Sequence, residues 1–156
     1  MSSDINRRGC LGLALAVTSG AQVKAADAGP ALGNRAHFLA RPEYRDALVK
    51  CLSKVLGCGE ATVLPTHDPA GPILAFRFPG GGSISVQFTA GALDEASARR
   101  GAWLELRTSD PAGLEAAVHA AGLPQIHYPA TATFYFAVPG GQVFGIARQD
   151  RPELAG

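Results

Sequence analysis

The pattern of apolar and polar positions predicts the same order of secondary-structure elements twice along this chain. Residues 35–89 begin with an alternating, strand-like run and continue with a helical stretch whose apolar residues recur every three or four positions. Three further strand-like runs follow, and residues 101–148 repeat the same order. A β-α-β-β-β unit therefore occurs twice. The predicted elements are helices that open at Pro42 and Pro111 and strands at 35–41, 61–64, 73–78, 83–89, 102–108, 125–127, 131–138 and 143–147.

The same turn joins the last two strands of each unit. Phe78-Pro79-Gly80-Gly81 occupies this place in the first unit and Val138-Pro139-Gly140-Gly141 in the second. Proline presets φ and glycine permits a positive φ, so both segments predict hairpins. A unit of about 50 residues is too small to bury a core alone, so the two should form one α+β domain. The predicted domain spans 35–148, as module one (35–89), a linker (90–100) and module two (101–148), between an irregular lead-in (26–34) and a polar tail (149–156).

The segment 1–25 has the organisation of an export signal. A pair of arginines precedes the apolar stretch 11–17, and small residues then lead to Ala25, after which cleavage is predicted. The segment Asn6-Arg7-Arg8-Gly9-Cys10-Leu11 resembles the twin-arginine motif, although Cys10 stands where that motif usually has phenylalanine. The resemblance implies export of the folded protein and a periplasmic location.

Composition and charge argue against nucleic-acid binding and against a membrane span. Hydrophobic residues make up 47% of the chain, which is enough for a packed core, and the formal net charge is +1 without a basic cluster. Nucleic acid is therefore not an expected partner, because phosphate binding needs clustered positive charge. The chain has no run of about 18 uninterrupted apolar residues, so we expect no membrane span in the mature protein.

The cysteines predict buried thiols and no disulfide. Cys10 would leave with the export signal, whereas Cys51 and Cys58 lie at and just beyond the end of the first helix. Two helical turns would hold this pair too far apart for a disulfide, unless the chain bends back after Gly57. Two small buried hydrophobic residues are the favoured interpretation.

Motifs in module two suggest a family. The run 103–110, the segment Leu114-Glu115-Ala116-Ala117 and the segment Ala121-Gly122-Leu123 form a strand-helix-glycine pattern. Phe134-Tyr135-Phe136, followed by Pro139-Gly140-Gly141-Gln142-Val143, forms an aromatic closing hairpin. Both motifs are similar to those of the vicinal oxygen chelate superfamily, which includes glyoxalases, bleomycin-resistance proteins and extradiol dioxygenases. Module one matches more faintly, at His37, 44–46 and 55–57. The resemblance implies that the two modules form one cup-shaped, glyoxalase-like domain.

The same resemblance identifies where a metal would be held. In that family a divalent metal usually sits in the cup, bound by residues from the first strand and a late strand of each module. The matching first-strand positions here are His37 and Trp103. The matching late-strand positions are Gly145 in module two and, in module one, Ser85 or, if Gly82 is an insertion, Gln87.

Only His37 among these positions is a strong ligand, and a catalytic metal generally needs about three protein ligands. We therefore expect no cofactor and no catalytic residue, with His37 as the remaining candidate metal ligand. The alternative is a displaced metal site formed by His37, His127 and Glu105, which would serve a metal-dependent lyase or dioxygenase.

Strand alternation selects the side chains that would face the cup. Flat aromatic faces and charged groups together favour a pocket for a small organic molecule. Two alternatives stay open: Trp103 fills the cup as a plug, and Glu105 and Arg107 simply pair with each other or with Arg77. The expected function is an exported protein that binds a small molecule without a metal, and the resemblance also implies a homodimer. The predicted ligand-binding residues are His37, Arg77, Gln87, Trp103, Glu105, Arg107 and Tyr135.

Overall fold

The computed structural model describes residues 34–66, 71–129 and 133–150. The predicted export signal, the lead-in up to residue 33 and the tail after residue 150 lie outside the described residues. Within the described part of the chain, no helix is long and apolar enough to cross a membrane.

The predicted element order is confirmed in both modules. Module one contains β1, a 3₁₀ turn, helix α1 with a π-helical extension, and then β2, β3 and β4. Module two contains β5, α3, β6, β7 and β8, and a short helix, α2, lies in the segment predicted to be a plain linker. The bounds are β1 Arg35–Ala40, the 3₁₀ turn Pro42–Tyr44, α1 Arg45–Lys50 with its π-helical extension Cys51–Val55, β2 Thr62–Leu64, β3 Ile73–Arg77, β4 Ser83–Phe88, α2 Glu95–Ala98, β5 Trp103–Thr108, α3 Pro111–Ala120, β6 Gln125–Ile126, β7 Phe134–Ala137 and β8 Val143–Arg148.

Side-chain caps explain where α2 and α3 begin. The Asp94 carboxylate accepts a hydrogen bond from the Ser97 amide at 2.8 Å, and the Asp110 carboxylate accepts one from the Gly113 amide at 2.9 Å. The predicted start of this helix at Pro111 is confirmed. The cap of α2 was missed, since this short helix has no apolar periodicity that could be recognised in the sequence.

Each module forms its own four-stranded mixed sheet. The strand orders are β1-β4-β3-β2, called sheet one, and β5-β8-β7-β6, called sheet two. In each sheet the first strand of the module pairs in parallel with its last strand, and the other pairs are antiparallel. A parallel pair needs a crossover connection, which α1 provides in module one and α3 in module two.

The helix-facing sides of the two sheets share one hydrophobic core. Sheet one contributes Phe76 and Val86, sheet two contributes Phe136 and Phe144, and helix α3 contributes Val118. All five side chains are essentially inaccessible to solvent. The modules therefore form a single folding unit through their helical faces, as expected for units too small to bury a core alone.

Both described cysteines are buried in this core as free thiols. The chain does bend back after the helix: Gly57 has a φ of +69°, and the Cys58 amide donates to the Leu52 carbonyl at 2.9 Å. Burial, together with the neighbouring Cys58, raises the pKa of Cys51 to about 12, and burial raises the pKa of Cys58 to about 11. The interpretation of Cys51 and Cys58 as two small buried residues is confirmed.

Candidate functional site

The predicted cup face of sheet one is polar. His37 lies on β1 directly beside Ser85 of β4, and Gln87 lies further along the same face of β4. Arg77 lies at the end of β3, opposite Ser83. Ser85 and Gln87 are buried, at 6% and 7% exposure, whereas His37 and Arg77 are exposed. The predicted residues His37, Arg77 and Gln87 therefore share one sheet face but lie in three different rows across it.

The His37 ring is already engaged on this face. Its Nδ1 lies 2.9 Å from the Ser85 hydroxyl, which in turn lies 3.5 Å from the Ala36 carbonyl oxygen. This contact involves Nδ1 and not Nε2, and a metal-binding histidine commonly hydrogen-bonds through one ring nitrogen and binds the metal through the other. The contact holds the imidazole against the sheet, and the neighbouring positions decide whether a metal fits.

The predicted cup face of sheet two presents Trp103, Glu105 and Arg107, which alternate along β5 and are all exposed. The Arg107 Nε donates to the Glu105 carboxylate at 2.9 Å. The alternative that these two residues pair with each other is therefore confirmed. An ion pair this exposed contributes about 0–1 kcal/mol to stability, so its main effect is to hold both side chains along the strand.

Three aromatic side chains meet beside this ion pair, and we call them the aromatic cluster: Trp103, Tyr128 and Tyr135. The ring centroid of Trp103 lies 4.9 Å from that of Tyr135 and 5.5 Å from that of Tyr128, with interplanar angles of 52° and 83°. The Trp103 indole N–H donates to the Arg99 carbonyl at 3.0 Å, which fixes the orientation of the indole. Trp103 is 38% exposed and Tyr128 is 48% exposed, so the cluster offers accessible ring surface.

Sequence reasoning missed Tyr128. This residue follows β6, outside any alternating run, so strand periodicity assigns it to no face. Its position depends on a tertiary contact with Trp103, which lies at the start of β5, on the far side of helix α3 in the sequence. The only available signal was its aromatic character, since tyrosine is a frequent residue at binding surfaces.

The Tyr135 ring covers the position at which a metal ligand was expected on β8. Gly145 pairs with Tyr135 on one side and with Glu105 on the other. A Cβ built on Gly145 would lie 2.6 Å from Tyr135 Cε1 and 2.9 Å from Cδ1, closer than real Cβ contacts. The ring therefore occupies the space that any side chain at position 145 would need.

Within the described part of the chain, the edge strand of each cup face is exposed to solvent. On β1 the residues Arg35, His37 and Leu39 are exposed, while the intervening residues face the core. β5 shows the same alternation, with Trp103 and Arg107 on its exposed side. The cup-facing residues of the neighbouring strands β4 and β8 are mostly buried, so the accessible polar and aromatic surface lies along β1 and β5.

Solved structures with this arrangement are known. A glyoxylase/bleomycin resistance protein/dioxygenase domain from Frankia sp. EAN1pec matches with a TM-score of 0.57 and 16% identity, covering 76% of this chain and 92% of that chain. The glyoxalase I of Leishmania major matches with a TM-score of 0.57 and 11% identity, covering 72% and 84%. The chain has the glyoxalase fold. No protein-family model matches the sequence, and no curated protein matches it.

Another similar structure raises the question of a metal in this glyoxalase-like domain. The fosfomycin resistance protein FosX from Listeria monocytogenes matches with a TM-score of 0.55 and 11% identity, covering 74% of this chain and 89% of that chain. That crystal structure is of a complex with Mn(II) and 1S,2S-dihydroxypropylphosphonic acid. Likeness at this level of identity shows the fold alone, so the residues of the present chain must decide whether a metal fits.

The hairpin turns identify equivalent positions in the two modules. In module one the Phe78 amide donates to the Gly82 carbonyl, and the Gly81 amide donates to the Phe78 carbonyl. The same two bonds recur in module two, from Val138 to Gln142 and from Gly141 to Val138. Gly82 is therefore equivalent to Gln142 and is not an insertion, so Ser85 rather than Gln87 is equivalent to Gly145.

The strand registers correct the first-strand assignment. His37 pairs with Ser85, and Glu105 pairs with Gly145, whereas Trp103 pairs with Val143. Glu105, and not Trp103, is thus equivalent to His37. The sequence assignment of Trp103 was wrong because it matched the family motif without knowing the stagger between parallel strands.

The equivalent positions do not fit the divalent metal that this fold implies. They are His37, the one strong ligand; Glu105, which pairs with Arg107; Ser85, a weak ligand; and Gly145, which has no side chain. Among the described residues, no three histidine, cysteine, aspartate or glutamate side chains converge on one point. This also applies to the displaced site of His37, His127 and Glu105, which was the sequence-based alternative.

Proposed function

We propose that this protein is a member of the vicinal oxygen chelate superfamily that lacks the usual metal site and binds a small organic molecule at the aromatic cluster. The observation that carries the proposal is the Tyr135 ring, which lies over Gly145 and against Trp103. At the position where a metal ligand would project into the cup, this chain presents an aromatic surface instead.

The chemistry of the cluster supports a flat, ring-containing ligand. Exposed indole and phenol rings offer stacking surface, and aromatic contacts contribute about 0.5–1.5 kcal/mol beyond the area they bury. Glu105 and Arg107 lie on the same strand face as Trp103 and can orient polar substituents of the ligand. A few polar groups beside an apolar wall are the usual composition of a small-molecule site.

A homodimer is part of the same proposal. Leu39 and Trp103 are large hydrophobic side chains exposed on the two cup faces, and exposed apolar surface of this kind favours a partner surface. A second copy would cover the open face of each module and would exclude water from the ligand. Sedimentation equilibrium on the purified protein tests this, with a monomer at all concentrations as the contrary result.

The binding proposal is tested with three proteins: wild type, Trp103→Ala and the control Leu93→Ala, which alters an exposed apolar residue between β4 and α2, outside the aromatic cluster. A thermal-shift screen of small aromatic compounds should find ligands that also quench the fluorescence of Trp103, the single tryptophan. Affinity should fall about tenfold or more in Trp103→Ala and stay unchanged in the control.

Two results would overturn the proposal. One is stoichiometric, tightly bound zinc, nickel, iron or manganese in the purified protein, measured by elemental analysis. The other is the failure of every compound in the screen to raise the melting temperature of the wild type.

The second candidate function is a metal-dependent lyase or dioxygenase with rearranged ligands. It would need ligands from a second copy of the chain, because no three such side chains converge among the described residues of one chain. One observation favours it. Glu105 and His37 occupy equivalent positions in the two modules, and both side chains are of metal-binding types. Under this alternative His37→Ala abolishes metal binding, whereas under the main proposal it leaves the metal content of the purified protein unchanged.

Export to the periplasm is proposed from the segment 1–25. Replacing Arg7 and Arg8 by lysine in the full chain should keep the protein in the cytoplasmic fraction, because the twin-arginine pathway reads this pair. Equal amounts of the wild type and the variant in the periplasmic fraction would contradict the proposal.

A further inference from the structure

A groove lies on the side of sheet one opposite the cup face. It is an open groove of about 500 Å³ between helix α1, with its π-helical extension, and the strands β2 and β3. Its volume lies within the range of sites that hold drug-sized molecules. The groove is lined by Arg45, Asp46, Val49, Lys50, Ser53, Lys54, Ala61, Val63 and Leu74.

The floor of the groove is apolar. Leu74 and Val63 are paired across β3 and β2, so their side chains lie on the same sheet face. Val49 and Ala61 complete the floor from the helix and from the segment before β2. Val63 is 63% exposed, an unusual degree for a strand valine beside a core, and it leaves apolar surface uncovered within the groove.

The rim of the groove is positively charged. The lining contains one acidic side chain, that of Asp46, and three basic ones, those of Arg45, Lys50 and Lys54. The net charge of the lining is therefore +2. Arg45 lies over the Phe88 ring, with Cζ 5.9 Å from the ring centroid. Among the described residues, neither Lys50 nor Lys54 makes an ion pair, so both ammonium groups can bind an anion.

Ser53 does not compete for these charges. Its hydroxyl donates to the Val49 carbonyl at 2.8 Å and is therefore directed back toward the helix backbone. The groove thus presents apolar surface beside two lysines that make no ion pair within the described part of the chain.

We infer that this groove binds a small amphiphilic anion, with its apolar part on Val63 and Leu74 and its carboxylate between Lys50 and Lys54. Charge complementarity selects an anion over a neutral or cationic amphiphile, and the apolar floor selects an amphiphile over a simple inorganic ion. The site is independent of the aromatic cluster, because Leu74 lies on the face of sheet one that is opposite to Ser85 and the other residues of the cup face.

Decanoate is the probe, at concentrations where it is monomeric, and binding is followed by nuclear magnetic resonance of the ¹⁵N-labelled protein. Decanoate should shift the amide signals of residues 49–54, 61–64 and 74, and decanol should bind more weakly. Lys50→Ala combined with Lys54→Ala should weaken decanoate binding about fivefold, since each exposed ion pair contributes modestly. Raised salt should weaken binding to the wild type and have little effect on the double variant.

Two controls test whether binding is specific to the groove. Arg100→Ala combined with Arg148→Ala removes the same amount of charge outside the groove and should leave decanoate affinity unchanged. Trp103→Ala should also leave it unchanged, so a failure of the aromatic-cluster proposal does not affect this test. Equal affinity in the wild type and the lysine double variant, equal affinity for decanol, or shifts confined to the aromatic cluster would overturn the inference.

Discussion

The close contact between Gly145 and the Tyr135 ring predicts that Gly145→Ala destabilises the wild type but stabilises the Tyr135→Ala variant. Gly145→Ala adds a Cβ that would lie 2.6 Å from Tyr135 Cε1, so the tyrosine ring has to move and give up its present packing on Trp103. In Tyr135→Ala the ring is absent and the nearest remaining neighbour, Thr133 Cγ2, would lie at an ordinary 3.5 Å.

The magnitudes follow from two opposing effects. Overpacking of a filled site costs about 1–3 kcal/mol, whereas replacing a strand glycine by alanine gains roughly 0.5–1 kcal/mol through the unfolded chain. Gly145→Ala should therefore destabilise the wild type by about 0–2.5 kcal/mol and stabilise Tyr135→Ala by roughly 0.5–1 kcal/mol. The two substitutions are then coupled by about 1–3 kcal/mol.

The assay is a double-mutant cycle of urea unfolding followed by far-ultraviolet circular dichroism. Fluorescence is unsuitable here because Trp103, the single tryptophan, touches Tyr135 and would change its signal in the variants. Gly59→Ala is the control, since its added Cβ meets nothing within 4 Å. A coupling energy below about 0.3 kcal/mol, within the range of independent sites, would refute the placement of the ring over Gly145.

Three further predictions concern stability. Asp110→Ala should lower the free energy of unfolding by about 0.5–2 kcal/mol through loss of the α3 cap, measured by urea unfolding. Hydrogen bonds from Ser97 lower the pKa of the Asp94 carboxyl. The stability that the Asp94 carboxylate contributes should therefore be fully present above the ordinary pKa of aspartate and be lost as pH falls through the lowered pKa. A carboxyl titration by nuclear magnetic resonance should show the lowered pKa of Asp94. Burial raises the pKa of Cys51 to about 12 and that of Cys58 to about 11. The free energy of unfolding should therefore fall as pH rises above about 9, where these thiols ionise in the unfolded chain but not in the folded protein. Urea unfolding at pH 8 and at pH 10 measures the difference.

Much of the fold could be predicted because its signals are local. Pro111 after Asp110, the Pro-Gly-Gly turns and the alternation in β1 and β5 each depend on neighbouring residues, and the structure confirms them. Alternation also assigned His37 and Glu105 to the correct sheet faces. Local patterns fix which face a residue takes, because the period of a strand is two residues.

The parts of the candidate site that were missed depend on contacts distant in sequence. Whether Trp103 or Glu105 is equivalent to His37 depends on the stagger between β5 and β8, which a helical crossover leaves unspecified in the sequence. The contact of Tyr128 with Trp103 likewise depends on tertiary packing. Neither could be obtained from periodicity, which carries no information about strands joined by long connections.

The equivalent rows of the two sheets show how one backbone supports two different surfaces. In module one the row is His37, Ser85 and Ala75, and the central serine hydroxyl reaches the imidazole of its neighbour. In module two the central residue of the row is Gly145, so the Tyr135 ring can lie flat across the strand. The ring fits only because position 145 has no side chain. Without the ring, the backbone at Gly145 would be uncovered. The absence of a side chain at 145 and the aromatic surface at 135 are therefore one structural feature, and a metal-binding side chain introduced at 145 alone would collide with the Tyr135 ring.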